Sequence, residues 1–226
     1  GTDYSAYGIK ANNKTTIVVD SNKTNPGKNG TITIKAKTLW SPSGDSGSKY
    51  TAAHGIAVGN FSQRFNKKVS EDLVKTTINA DVVIEELRGG SIKTTGISSM
   101  DCSDLAINGR FTIKPGAISL MQWNRGDQSK TYGIYMIGSN NTISITSADI
   151  DDSKNGSLSD LIKTDESLWG GKTEKNVLRI GGGTLKVKEN QKERYLISAA
   201  KGFRTFINVN QDGSAIGTSK ADLQGT

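Results

Sequence analysis

The chain has 226 residues, of which 34% are hydrophobic and only 6% aromatic, with 26 glycines and a single cysteine, Cys102, so an intrachain disulfide is excluded. No run approaches the roughly 18 apolar residues of a membrane-spanning helix, and membrane insertion is not expected. The net charge of +7 is spread over isolated lysines, not gathered into an aromatic-interleaved basic stripe, which argues against nucleic acid as a partner and for attraction to anionic glycans or host surfaces.

Read from the start, the chain alternates short β-like runs with turn-rich stretches. Tyr7-Gly8-Ile9 opens a pattern that returns at His54-Gly55-Ile56, Thr95-Gly96-Ile97 and Tyr132-Gly133-Ile134, with spacings of 47, 41 and 37 residues. Residues 15–19 put Ile17 and Val19 on one face. Residues 30–37 turn Ile32, Ile34 and Ala36 inward and Thr33, Lys35 and Lys37 outward. Ile78, Ala80, Val82 and Ile84 share a face opposite Asn79, Asp81 and Glu85. Leu105, Ile107, Phe111 and Ile113 share the next, opposite Asn108, Arg110, Thr112 and Lys114. Residues 117–121, Ile143 with Ile145, residues 176–180, Leu185 with Val187, and Phe203 with Ile207 and Val209 continue the series. Such period-two alternation predicts strands with one buried and one wetted face. Residues 22–29, 41–48, 124–129 and 151–156 read as loops. Two stretches carry helix signals. Residues 70–75 have an N-cap serine and early acids, and residues 157–168 place Leu158, Leu161 and Ile162 at helical spacing.

Recurrence of one unit at this period points to a solenoid, in which each repeat stacks on its neighbours and buries a continuous core. Ile and Val at equivalent places in each repeat favour this over a sandwich or closed barrel. The stretch 151–175 is expected to be an irregular insertion that interrupts the repeats.

The runs AYGIKANNKTTIVVD, GTITIKAKT and TYGIYMIGSNNTISI resemble the passenger region of bacterial autotransporters, most clearly over residues 4–150. The resemblance implies an all-β, right-handed parallel β-helix of the pectin-lyase-like kind, secreted through an outer-membrane barrel and displayed at the cell surface. Many such passengers are adhesins. On this reading residues 1–226 form one β-helix segment, an excised piece of a longer passenger with at most one or two short helices. Its expected partner is a host-cell receptor or glycan, with self-association through the cut ends. A polysaccharide lyase or hydrolase on the same scaffold is the alternative, and a structural spacer is a third.

Candidate binding residues cluster in the predicted loops. Arg125-Gly126-Asp127 offers a guanidinium and a carboxylate on one turn, suited to an integrin-type receptor or simply to solvent. Trp40, Trp123 and Trp169 each precede a polar loop, where an indole either stacks on a sugar or partner or covers the edge of the apolar column. Asp149, Asp151 and Asp152, and Asp101 with Asp104, are acidic clusters. Calcium needs six or more converging oxygens, and neither cluster follows a metal-loop spacing. His54 is the sole histidine. It occupies the slot of Tyr7 and Tyr132 in sister repeats, so a structural ring is expected there. With one His and one Cys, no zinc site is expected, and no other metal, cofactor or catalytic residue is assigned. Gly181-Gly182-Gly183 lacks the Lys-Ser/Thr pair of a phosphate loop and reads as a tight turn.

Overall fold

The computed structural model describes residues 5–19, 30–38, 52–59, 73–89, 93–120, 130–154, 157–165, 176–186, 195–198 and 203–207. Every regular element among the described residues is a strand. In chain order these are β1 (Ser5–Ala11), β2 (Thr15–Val18), β3 (Thr31–Lys37), β4 (Ala52–Gly59), β5 (Val74–Asn79), β6 (Asp81–Gly89), β7 (Lys93–Met100), β8 (Ser103–Ile113), β9 (Ile118–Leu120), β10 (Lys130–Ile137), β11 (Thr142–Asp151), β12 (Asp160–Asp165), β13 (Asn176–Ile180), β14 (Gly183–Lys186), β15 (Tyr195–Ser198) and β16 (Phe203–Ile207).

They form two sheets, paired in parallel throughout. A six-stranded sheet runs β1-β4-β7-β10-β12-β15. A ten-stranded sheet runs β16-β13-β11-β8-β5-β2, with β3, β6, β9 and β14 continuing its strands. The chain alternates between the sheets, and each pass adds a rung to both. The arrangement is solenoid-like, as the repeats predict.

Registration stacks like residues along the axis. Ile9, Ile56, Ile97, Ile134 and Ile162 are successive partners in the six-stranded sheet. Across from them run Ile34, Ile84, Ile113, Ile150 and Leu185, and beside these Ile17, Ile78, Ile107, Ile145 and Ile180. From the second pass onward these ladders are closed to water. Each fully buried Ile contributes about 1.5–3 kcal/mol of burial free energy. The large Phe111 stacks between the smaller Val82 and Ala148, as close packing of a bulky ring requires.

The column explains the Gly-Ile motif. A Cβ on Gly55 would lie 2.6 Å from the Gly96 carbonyl oxygen and 2.6 Å from Ile84 Cδ1. On Gly96 it would lie 2.6 Å from the Gly133 carbonyl and 2.7 Å from Ile113 Cδ1. The glycines stack on one another and leave room for the isoleucine arriving from the opposite sheet.

Polar residues fill the corner between the sheets. Asn141 Nδ2 donates to the Ile137 carbonyl (2.8 Å) and to Asn176 Oδ1 (3.1 Å), and Ser103 Oγ donates to Asn141 Oδ1 (2.7 Å). Buried amides carrying these bonds stop the corner from holding unpaired polar groups. On the outer face of the ten-stranded sheet, Glu85 pairs with Lys114 and with Lys35 (2.9 Å), and Lys37 pairs with Glu86 (2.9 Å). Lys114 and Lys35 hold the Glu85 carboxyl below its ordinary range. Such exposed pairs add little stability, but they link neighbouring passes.

Two expectations need correction. The helix signal at 157–168 falls on β12, which pairs with β10 on one side and β15 on the other. The signal at 70–75 ends inside β5, which begins at Val74 and pairs with β2 and β8. Residues 70–72 and 166–168 lie outside the described residues. Within 151–175, β12 takes the next place in its sheet after β10.

Candidate functional site

Trp40, Trp123, Arg125, Gly126, Asp127 and Trp169 lie outside the described residues. The strands that anchor their segments are described. Residues 38–51 lead into β4 and residues 121–129 lead into β10. Both strands belong to the six-stranded sheet and run in the same direction, with β7 between them. The attachment points Ala52 and Lys130 therefore share one margin, two strands apart. Residues 166–175 depart from the end of β12, on the opposite margin.

Between those margins, the outer face of the six-stranded sheet carries aromatic and charged rungs. Tyr7, His54, Thr95, Tyr132 and Asp160 are successive partners, which bears out the expected equivalence of His54 with the two tyrosines. The His54 ring stacks on Tyr7 with centroids 5.4 Å apart, and its Nδ1 hydrogen-bonds Thr95 Oγ1 at 2.7 Å. Burial, aided by the nearby Lys10 charge, lowers its pKa to about 4. The ring is therefore neutral at physiological pH. Lys10 sits 4.7 Å from the Tyr7 ring centroid.

The next rung brings Tyr135 beside Tyr132, with ring centroids 5.0 Å apart. Tyr135 donates its hydroxyl to Asp165 Oδ2 at 2.8 Å. The Lys93 ammonium contacts the same hydroxyl, lies 4.4 Å from the Tyr135 ring centroid and reaches Asp165 Oδ2 at 3.3 Å. Lys163 approaches the other oxygen of Asp165 at 3.3 Å. Burial and the Asp165 charge push the ionisation of Tyr135 far upward, and burial does the same to Tyr132. Both phenols stay protonated. The cluster is a staple of hydrogen bonds and ion pairs across β7, β10 and β12, with neutral phenols between charged partners, chemically suited to fixing the strands and not to proton transfer.

The acidic clusters also have partners. Asp149 pairs with Arg110 (3.4 Å), and Asp151 accepts from Ser153 and lies 3.9 Å from Lys186. Asp152 accepts from the Ser157 and Leu158 amides, both at 2.8 Å. Asp101 accepts from the Ser139 amide at 3.0 Å. Among the described residues no three His, Cys, Asp or Glu side chains gather around one point.

One feature escapes a sequence reading. Where the ten-stranded sheet changes direction, Asn108, Ser144, Thr146, Arg179 and Gly181 line an open groove of about 380 Å³ together with Ile107, Ile145 and Ile180. The only local signal is the Gly181-Gly182-Gly183 triplet, whose turn reading hides the absence of side chains there.

Compared with known protein families, with curated proteins and with solved structures, the chain has no significant match.

Proposed function

We propose that the chain is a segment of a bacterial autotransporter passenger, secreted or displayed at the cell surface. It would be a right-handed, pectin-lyase-like β-helix that presents recognition loops on a stiff rod and performs no catalysis. The observation that carries this reading is the unbroken registration of isoleucine ladders through successive passes. A column built this way resists bending and twisting, because each rung is locked to its neighbours by parallel hydrogen bonds and by side-chain stacking. Right-handed winding follows from the general rule that a crossover joining parallel strands of one sheet is right-handed in about 98% of cases. Recognition falls to the segments between strands, which a rigid scaffold is free to vary. Residues 38–51 and 121–129 attach on one margin, so both could engage one host receptor or glycan.

The test is binding of the chain to epithelial cells and to a glycan array, before and after replacing residues 121–129, alone and together with residues 39–51, with Gly-Ser linkers of equal length. The expected result is binding by the intact chain, with at least a tenfold loss in the replaced chain and an unchanged melting temperature. Asp127→Ala should reproduce much of that loss. Absence of binding by the intact chain, or full retention after both segments are replaced, would sink the adhesin reading. Depolymerisation of any polysaccharide by the intact chain would overturn its non-catalytic part.

A further inference from the structure

We infer that the groove at the outer bend of the ten-stranded sheet is a binding site for a small polyhydroxylated anion, an acidic monosaccharide unit bearing one carboxylate. The site is built by an irregularity in strand pairing. Between Ile145 and Ser147 the register of β11 against β8 shifts, so that Asn108 and Gly109 together face Thr146. A bulge of this kind bends the strand and re-aims its side chains. In the next pass the same place is taken by Gly181 and Gly182, between β13 and β14. A Cβ on Gly181 would lie 2.7 Å from the Thr146 carbonyl oxygen, so that position must stay bare. The groove therefore opens beside Arg179, whose register partner is Ser144.

The chemistry of the lining selects the ligand. Asn108, Thr146 and Arg179 are exposed, and Ser144 is half-buried. Among the described residues that line the groove there is no carboxylate, and Arg179 is the charged one. A guanidinium presents a planar fork of donors that matches a carboxylate in two parallel hydrogen bonds. Asn108 offers both a donor and an acceptor, and each hydroxyl offers the same to sugar hydroxyls. The Asn108 amide is already oriented, since its Nδ2 donates to Asn79 Oδ1 at 2.8 Å. The Thr146 hydroxyl is held by a 3.3 Å bond to the Ile107 carbonyl. A volume of about 380 Å³ lies in the lower part of the range for small-molecule sites, enough for one sugar ring. The chain's net charge of +7 favours approach of an anion. This site goes beyond the proposed function, because it uses the rod itself and none of the loops assigned to receptor recognition.

The experiment is a titration of the ¹⁵N-labelled chain with glucuronic acid, N-acetylneuraminic acid, glucose and glucose 6-sulfate, read by amide chemical shifts. Either acid should shift the amides of Ser144, Thr146, Arg179 and Gly181, with glucose at least tenfold weaker. Arg179→Ala should weaken the acids at least tenfold at an unchanged melting temperature. Ser144→Trp should block the groove sterically while keeping the charge. The chain with residues 121–129 replaced should bind the acids as the intact chain does, which separates this site from the loop function. No shifts, shifts centred elsewhere, or unchanged affinity in Arg179→Ala would overturn the proposal. Tighter binding of glucose 6-sulfate than of either acid would overturn the carboxylate assignment.

Discussion

His54 shows how one rung of a repeat can couple stability to pH. Its ring is closed off between Tyr7 and Thr95, and desolvation lowers its pKa from 6.5 to about 4. In the unfolded chain the imidazole takes up its proton near 6.5, whereas in the fold it does so only near 4. The unfolded state thus binds more protons between those values, and stability falls as the pH drops through that window. A displacement of this size corresponds to about 3 kcal/mol. Thr95 holds the same rung in the next strand, so His54→Thr is a substitution the fold already accommodates. Urea unfolding from pH 7.5 to 4 should show the intact chain losing about 3 kcal/mol more than His54→Thr. Parallel pH profiles for the two chains would contradict the assignment. The neighbouring staple gives a second prediction. Tyr135→Phe removes the hydroxyl that bonds Asp165 and contacts Lys93, while keeping the ring stacked on Tyr132. Loss of a half-buried bond to a charged group predicts about 1.5 kcal/mol of destabilisation, the lower end for such bonds, and an unchanged urea midpoint would argue that the staple is inert.

At the scale of the strand, the glycine ladder sets the limit on what each pass can carry. Gly96→Ala would place a methyl group 2.6 Å from the Gly133 carbonyl and 2.7 Å from Ile113 Cδ1. Backbone has to move to accept it, and overpacking of this kind costs about 1–3 kcal/mol. Gly182→Ala is the matching control, because its Cβ would meet nothing nearer than the Thr146 carbonyl at 4.0 Å. It should be neutral or slightly stabilising, by up to about 1 kcal/mol through the unfolded chain. Equal losses in the two variants, measured by urea unfolding, would show that close approach is not what the motif serves. The inward faces were legible because one side of the ten-stranded sheet is wet, so Ile78, Ala80 and Val82 are buried and alternate with Asn79 and Asp81. The central strands of the six-stranded sheet are buried on both faces, as all eight residues of β4 are, and a doubly buried strand carries no alternation. In β12 the alternation fails at a single step. Leu161 and Ile162 are adjacent and both buried, and with Leu158 they imitate helical spacing. The staple was invisible for another reason. Lys93 meets Tyr135 and Asp165 only because three passes bring distant residues to one face. The groove depends on a one-residue register shift, which leaves no mark in composition.

Over the whole molecule, burial is graded along the axis. Ile56, Ile78 and Ile84 in the second pass have no exposed surface, whereas Ala6, Ile9, Ile17, Val19 and Ile32 in the first are only partly buried. Among the described strands β1 has a single partner, β4, and β2 likewise has only β5. In a stacked architecture each pass draws its stability from its neighbours, so one with a single neighbour opens first. Hydrogen exchange should therefore be fastest for the amides of β1–β3 at one end and of β15 and β16, each also with a single partner, at the other, and slowest for β7, β8, β10 and β11. The registers also show how to reverse the gradient. Ser5 is opposite Ala52, His54 is opposite Thr95, and Lys93 is opposite Lys130. Ser5 thus holds the position of Lys130, the residue that follows segment 93–129. A copy of residues 93–129 joined directly to Ser5 would lay a duplicate of β7, β8 and β9 against β1, β2 and β3, with its Gly96 and Ile97 in line with Gly8 and Ile9. Stacking would complete the burial of Ile9, Ile17 and Ile32. It should slow exchange of the first-pass amides at least tenfold and raise the urea midpoint. The same extension carrying Ile97→Asp in the added copy would place an unpaired charge in the column and should confer neither effect. Extended and unextended chains that exchange alike would mean that the passes are not interchangeable units, and that stiffness comes from contacts particular to each one.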